Sequence, residues 1–398
     1  MSAGLKDSCG KPADICVVNT CSVTQRAEND SVEAIRKLNQ VNPQSKIFVT
    51  GCSAQNSPEK LKLLEGVSCV LGNNQKENLA DFVLANEKPL STLEESPGIT
   101  EFLRHTRAFL KVQDGCNNGC SYCIIPKLRG ASRSRPQAHI MKEARNLAAH
   151  GYKEVVLCGV CLGDYGKEVA RVNGLVKLIE SLEQIDGLMR IRLSSIEATD
   201  VSPELIEKMR TSKKVCHHLH IPFQSGDDAV LKLMNRKTNA DDYRKLIFDI
   251  RKAIPDIGIT TDIMAGFPGE KEENFNNSLT FLKEIQPSRM HIFSFSPRNH
   301  TAASTFKNKV EPRVIKERAK LLRGLAKEFS LNFHRAQEGK TLKVLVEASL
   351  ELKNGLSKGY SDTYIKVFLQ EAQHSINTIV TAKMLKPYRD GIFALPLT

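Results

Sequence analysis

The sequence predicts an α/β chain in three parts: an amino-terminal parallel α/β domain, a partial (β/α)6 barrel and a carboxy-terminal small all-β barrel. Three observations carry this. Apolar runs of strand length alternate with amphipathic segments over residues 14 to 86 and again from Arg107, the order of a parallel sheet covered by helices. The rhythm fails between 87 and 106. From Lys340 it changes to short strand-like pieces separated by turn residues, the pattern of a small β module.

The amino-terminal domain, 1–86, starts with the strand DICVVNTC, a helix through RAENDSVEAIRKL and the strand KIFVTGC. A second helix begins at Ser57-Pro58-Glu59, where a serine cap precedes a proline suited to the first turn. The stretch EKPLSTLEESPGITEFLRHT, 87–106, is a linker. The core, 107–338, holds six strand candidates: AFLKV, EVVLCGV, MRIRLSS, HHLHIPF, IGITTDIMAGF and RMHIFSF. Helices are expected near 137–150, 173–185, 202–212, 240–253 and 271–285. After the strands come the loops that carry unusual residues: a cysteine array, GDYG, SSIEAT, QSGDD, GFPGE and SPRNHT. In a parallel barrel these loops share one rim, where chemistry collects. The last part, 339–398, contributes LKVLVEASL, YIKVFL and SINTIVTAKML.

A formal charge of +12 favours polyanionic partners, nucleic acid first, although charge alone is equally consistent with a solvated basic surface. Part of the excess is concentrated: Lys309 to Lys343 holds ten Lys or Arg against four Glu. Ile315, Leu322, Leu325 and Phe329 recur there at helical intervals, so one face should pack while the cations point outward. Eleven cysteines, an odd number at irregular spacing in 398 residues, do not form a secreted disulfide framework and point to metal or redox chemistry in a reducing compartment. No apolar run approaches a membrane span and MSAGLKDSCGKPAD lacks a signal-peptide core, so a cytoplasmic location is expected.

The most informative stretch is GCNNGCSYCIIP, 115 to 126, in which Cys116, Cys120 and Cys123 form a C-x-x-x-C-x-x-C array. A closed zinc site usually takes four protein ligands, and an iron-sulfur cluster held by three cysteines leaves one iron open to a small molecule. No His or Asp stands inside the array to make a harder site. Elsewhere, Cys158 and Cys161 form a C-x-x-C with no second pair to complete a tetrad. Cys69 and Cys216 border apolar strands and should be buried and inert. His218 and His220 share one face of a strand, where barrel packing is favoured over a metal pair.

The array, with Tyr122 just before its last cysteine, resembles the radical S-adenosylmethionine (SAM) enzymes. Together with NTCSVT at 19–24, TGCSAQ at 50–55, RGASRSR, HIPFQSG and GFPGE, it resembles the methylthiotransferases among them. The last module, with VLVE, resembles the small RNA-binding barrel called TRAM. The resemblance covers nearly the whole chain and implies a radical-SAM barrel whose 4Fe-4S cluster is held by Cys116, Cys120 and Cys123. The open iron would chelate SAM, and one electron would cleave its sulfonium to a 5′-deoxyadenosyl radical. A second 4Fe-4S cluster, holding the sulfur to be inserted, would use Cys21 and Cys52, and a second SAM would supply the methyl group. Cofactor contacts are implied at Tyr122, Gly159, Ser195, Glu197, Gln224, Ser225 and Arg236, with Arg298 in a loop that closes the cavity. No catalytic side chain is assigned.

Three departures from the family pattern stand out. The first cysteine of the second cluster is expected some thirty residues before the NTC motif, yet here that motif begins at Asn19. Either the gene product is longer or a ligand is lost, with Cys9 or Cys16 as substitute; Cys16 lies within a strand and should pack as a small hydrophobe. His300 stands where the family favours Gly, and Thr238 where an aromatic is common. Among the branches, SSIEAT and SVT are most similar to the enzymes that methylthiolate C2 of threonylcarbamoyladenosine at tRNA position 37. Isopentenyladenosine in tRNA and a ribosomal-protein aspartate are the alternatives, as is a tRNA-binding protein without sulfur insertion. The implied partners are the tRNA anticodon arm, an electron donor such as a flavodoxin, and a sulfur donor.

Overall fold

The computed structural model describes residues 12–84, 99, 101–102, 105–169, 172–347, 355–370 and 375–397. They fall into two compact units, one from the described parts of 1–96, 117–131 and 296–305, the other from those of 97–116, 132–295 and 306–398. In the first unit β1 (Ile15–Thr20), β2 (Lys46–Gly51) and β3 (Val67–Leu71) form a parallel sheet in that order. Helix α1 (Gln25–Val41) connects β1 to β2; the Thr24 hydroxyl caps it by accepting the Ala27 N–H at 3.1 Å. The expected cap at Ser57 does not form: helix Pro58–Lys62 starts without a side-chain hydrogen bond, on the preset φ of its proline. Cys16 packs with Ile35, Ile47 and Val49, as a small hydrophobe should.

In the second unit β4 (Ala108–Lys111), β5 (Glu154–Cys158) and β6 (Arg190–Leu193) form one parallel sheet. β7 (His218–His220), β8 (Gly258–Ala265) and β9 (Arg289–Ser294) form another. Bridges Ile191 to Val215 and Ser195 to His220 join the two, giving the expected partial barrel of six parallel strands. Between strands run α2 (Gln137–Ala149), α3 (Gly174–Glu183), α4 (Pro203–Thr211), α5 (Ala240–Ala253) and α6 (Glu272–Ile285). Leu110, Leu157, Ile191, Leu193, Leu219, Ile259 and Ile263 belong to one apolar core with these helices. By the two-residue strand period, Glu154, Arg190, Arg192, His218, His220, Thr260 and Asp262 lie on the opposite, inner face. The inside of the barrel is therefore polar.

Helix α7 (Pro312–Arg335) buries Leu322 and Phe329 as its periodicity requires. One expectation fails there, because Arg318 turns inward and pairs with Glu270 at 2.8 Å and Glu272 at 2.9 Å. Of the expected linker, residues 87–98, 100 and 103–104 lie outside the described residues; Phe102 docks on the core, its N–H donating to Tyr152 Oη at 2.7 Å. Among the described residues no helix is long and apolar enough to cross a membrane.

The last strands, β10 (Thr341–Glu347), β11 (Leu356–Ser361), β12 (Lys366–Gln370), β13 (Ile379–Tyr388) and β14 (Gly391–Pro396), close into a barrel in the order β10-β11-β12-β14-β13. Val344, Val346, Val367, Leu369, Met384 and Ile392 fill it. This small barrel is anchored to the partial barrel by two buried arginines. Arg192 donates to the carbonyls of Ser361 and Asp362, both at 2.9 Å, and stacks over Tyr364 with 4.6 Å to the ring centre. Arg190 donates to the Tyr360 carbonyl at 3.0 Å and the Lys343 carbonyl at 2.5 Å. Both also pair with the fully buried Glu154, Arg192 at 2.7 Å and Arg190 at 3.5 Å. At Gly258 the approach is so close that a Cβ would stand 2.2 Å from the Thr363 carbonyl oxygen.

Burial pushes the Glu154 carboxyl up, but Arg192 and Arg190 outweigh it and hold it below its ordinary value. Its contribution to stability is therefore full above the ordinary 4.5 and is lost as pH falls through the lower folded value. Glu154→Gln leaves two guanidinium groups buried without their anion and should cost about 3–5 kcal/mol, read from urea denaturation at neutral pH. A loss below about 1 kcal/mol would show that the trio does not hold the two barrels together.

Candidate active site

The cysteine array begins where β4 ends, and a buried side chain that the sequence reading missed controls its entry. Gln113 donates from Nε2 to the carbonyls of Asp114 (3.0 Å) and Gly115 (2.8 Å) and to Ser132 Oγ (2.9 Å). Its Oε1 accepts the Cys161 N–H at 2.9 Å. The chain then turns through Gly115 at φ +73°, a conformation glycine adopts without strain, and reaches Cys116. The only sequence signal for this role is a glutamine placed directly after an apolar strand and before the cysteines.

The loop after β5 explains its own residues. At Gly159 a Cβ would lie 2.9 Å from Gln113 Oε1, so the glycine makes room for that side chain. Cys158 and Cys161 do not act as a pair: the Cys158 thiol donates to the Val156 carbonyl at 3.4 Å, whereas Cys161 is buried beside Cys116, which together with burial pushes its thiol up. Cys216 is buried as expected, its thiol pushed up to about 12 by burial. Cys69 departs from expectation and is only half-buried.

After β6 and β7 the structure brings together Glu197 and Arg236. Arg236 donates to Glu197 at 2.9 and 2.5 Å, to the Pro222 carbonyl at 2.7 Å and to Tyr243 Oη at 3.1 Å. This bidentate pair fixes the loop end of β6 against the segment that follows β7. Ser195 bridges His220, while the neighbouring Ser194 hydroxyl, buried and on the same strand face as Arg190 and Arg192, has no hydrogen-bond partner among the described residues. Gln224 sits at φ +68° and continues the ladder by donating to the Asp262 carbonyl at 2.8 Å. Ser225 faces helix α6 instead: its hydroxyl lies 3.1 Å from Ser278 Oγ and accepts the Asp227 N–H at 3.2 Å.

In the other unit, parallel pairing of Thr20 with Gly51 places the next residues, Cys21 and Cys52, at neighbouring strand ends. The Ser53 hydroxyl donates to the Cys21 carbonyl at 2.7 Å, and Thr20 Oγ1 accepts the Ser53 and Ala54 N–H groups at 3.1 and 3.2 Å. Cys21 is exposed; Cys52 is buried against Ile124 and Leu128, with Arg129 Nη2 at 3.6 Å from its sulfur. Cys120 and Cys123 are half-buried, with the Cys123 N–H donating to the Cys120 carbonyl at 3.0 Å, and Tyr122 between them is half-buried too. Arg298 is buried and bonds Gln25 at 3.3 Å and Glu28 at 2.9 Å in the first turn of α1. His300 holds φ +71°, which gives a physical reason for the glycine that the family prefers there. Thr238 is buried, and Cys9 lies outside the described residues.

Residues 110–282 match the family model described as the radical SAM superfamily, and 5–72 match the uncharacterized protein family UPF0004. Threonylcarbamoyladenosine tRNA methylthiotransferase MtaB of Bacillus subtilis (strain 168) is 36% identical, with 96% of this chain and 88% of the relative covered. The chain belongs to the radical SAM methylthiotransferase family. The enzyme of the same name from Thermotoga maritima is 37% identical over 88% of this chain and 81% of its own. A tRNA-2-methylthio-N(6)-dimethylallyladenosine synthase of Lachnoclostridium phytofermentans is 34% identical over 96% and 87%. The fold is shared with the radical SAM methyltransferase TsrM of Kitasatospora setae, at TM-score 0.56 and 14% identity, covering 74% of this chain and 67% of that one.

Membership implies a 4Fe-4S cluster and SAM, and the residues fit. The array supplies three soft ligands, none in a disulfide, and the orphaned Ser194 hydroxyl is a polar atom inside the barrel still short of a partner. If Gln113 shapes the array, Gln113→Leu should weaken cluster retention by roughly 10-fold, read as iron lost to a chelator from anaerobically reconstituted protein. Iron release as slow as in the parent would contradict that role.

Proposed function

We propose that this enzyme inserts a methylthio group at C2 of threonylcarbamoyladenosine, position 37 of tRNA, next to the anticodon. The observation that carries the reading is the likeness to MtaB, 36% identical over 96% of the chain, in a chain whose sequence sets three cysteines, Cys116, Cys120 and Cys123, just after the first core strand. Cys116, Cys120 and Cys123 would hold the radical cluster, and Cys21 and Cys52 would contribute to a second cluster that holds the sulfur. When bound, the cluster and SAM supply a carbon radical able to take hydrogen from an unactivated C–H bond.

The chain's own part is positioning. Gln113 holds the loop that presents Cys116, while Glu197 and Arg236 brace the rim where Gly159, Ser195, Gln224 and Ser225 are proposed to meet or shape the cofactor site; Tyr122, within the cysteine array, is proposed as a further cofactor contact. The polar inner face can orient a nucleoside while the surrounding strands and helices exclude water. Away from the rim, a cavity of about 470 Å³ between α7 and the terminal barrel is lined by Arg289, Lys327, Lys366 and Arg389 with Asp390, a charge pattern suited to an RNA backbone. An electron donor such as a flavodoxin and a sulfur donor complete the reading.

Mass spectrometry of tRNA nucleosides before and after gene deletion tests the substrate. The methylthio-threonylcarbamoyl nucleoside should disappear on deletion. Its survival, with loss of the methylthio-isopentenyl nucleoside, would move the enzyme to the branch of its dimethylallyladenosine relatives; loss of neither would reject transfer to tRNA. Cys120→Ala should abolish SAM cleavage while tRNA affinity stays within about two-fold of the parent, since phosphate contacts dominate that affinity. Undiminished cleavage would contradict the ligand assignment.

A further inference from the structure

Three side chains on adjacent core strands converge inside the barrel: His220 of β7, Asp262 of β8 and His291 of β9. Asp262 stands directly opposite His291 in the β8–β9 register, and Thr260, two residues earlier on the same face, stands opposite His220. The Thr260 hydroxyl lies 2.9 Å from His220 Nδ1, which turns the other ring nitrogen, Nε2, toward Asp262 Oδ2 at 3.3 Å. On the other side His291 Nδ1 lies 3.3 Å from Asp262 Oδ1. The two rings are 5.6 Å apart and 31° from parallel, and the candidate donor atoms all lie within 4.8 Å of one another.

The spacing decides between two readings. A charge-assisted N–H···O bond closes to about 2.7–2.9 Å, so these contacts are long for hydrogen bonds. Two ligands about 2.0–2.1 Å from one tetrahedral ion stand about 3.3–3.4 Å apart. The side chains are 15%, 22% and 44% exposed for His220, Asp262 and His291, so the cluster is open on one side. His218 shares the strand face but lies deeper: its Nε2 is 3.0 Å from the same Thr260 hydroxyl, its ring is tilted 53° against Tyr364 with centres 4.7 Å apart, and its buried Nδ1 has no hydrogen-bond partner among the described residues.

We propose that His220, Asp262 and His291 form a binding site for a divalent first-row transition ion, separate from the cysteine-held iron. Two imidazoles and one carboxylate from three strands make a one-sided ligand set that leaves positions open toward the barrel interior. The Thr260 hydroxyl supplies the outer hydrogen bond that orients a histidine ligand. An ion there would tie β7, β8 and β9 together on the inner face of the barrel.

Zinc is the probe, because it is redox-silent and distinct from cluster iron. The full-length, cluster-reconstituted enzyme is incubated anaerobically with zinc, desalted and assayed for zinc, iron and sulfide, beside Asp262→Asn and His291→Gln. The parent should retain about one more zinc per chain than either variant, with equal iron and sulfide in all three. Equal zinc in parent and variants would overturn the proposal. X-ray absorption at the zinc edge of the parent, which needs no variant, should show only nitrogen and oxygen neighbours at about 2.0–2.1 Å; sulfur neighbours at about 2.3 Å would equally overturn it.

Discussion

Parallel pairing is the constraint on which the core depends. Because all six core strands run the same way, every loop that follows a strand emerges at the same end, and residues far apart in sequence meet on one rim. Glu197 and Arg236, 39 residues apart, close into a bidentate pair for this reason, and Gln113 reaches Cys161 across 48 residues. The same topology gives each strand one apolar face under the helices and one inner face that is free to be polar. A methylthiotransferase uses that freedom, since its barrel must admit a charged cofactor and a nucleoside.

The opposite end of the barrel carries the cost of a polar interior. Glu154, Arg190 and Arg192 are withdrawn from water and satisfy one another, and the arginines spend their remaining donors on backbone carbonyls of the terminal barrel. The terminal barrel is thus part of the floor of the core. Removing it would strand two buried guanidinium groups, so truncation at the terminal barrel would disturb the core itself.

Much of this was legible in the sequence. Strand and helix positions followed from apolar period, and spacing singled out Cys116, Cys120 and Cys123 as candidate ligands. What escaped reading were partnerships set by register. Nothing in MRIRLSS tells that its two arginines face inward to one glutamate 36 and 38 residues away, and nothing near His220 points to His291. The cap at Ser57 failed because proline already fixed the turn, and Arg318 turned inward because Glu270 lies buried beneath it. In the terminal barrel the strands Leu356–Ser361 and Gly391–Pro396 were missed, since LSKGYS and GIFALP are broken by glycine or proline that a barrel tolerates at bends and ends. Short strings that hinted at substrate also have local structural work: in SVT, Ser22 bonds Ser53 and Thr24 caps α1.

The central claim is an iron left open to SAM by a three-cysteine array. Electron paramagnetic resonance of the reduced, oxygen-free enzyme tests it most directly. The account predicts a reduced 4Fe-4S signal that changes in shape when SAM is added; absence of such a signal, or one indifferent to SAM, would contradict it.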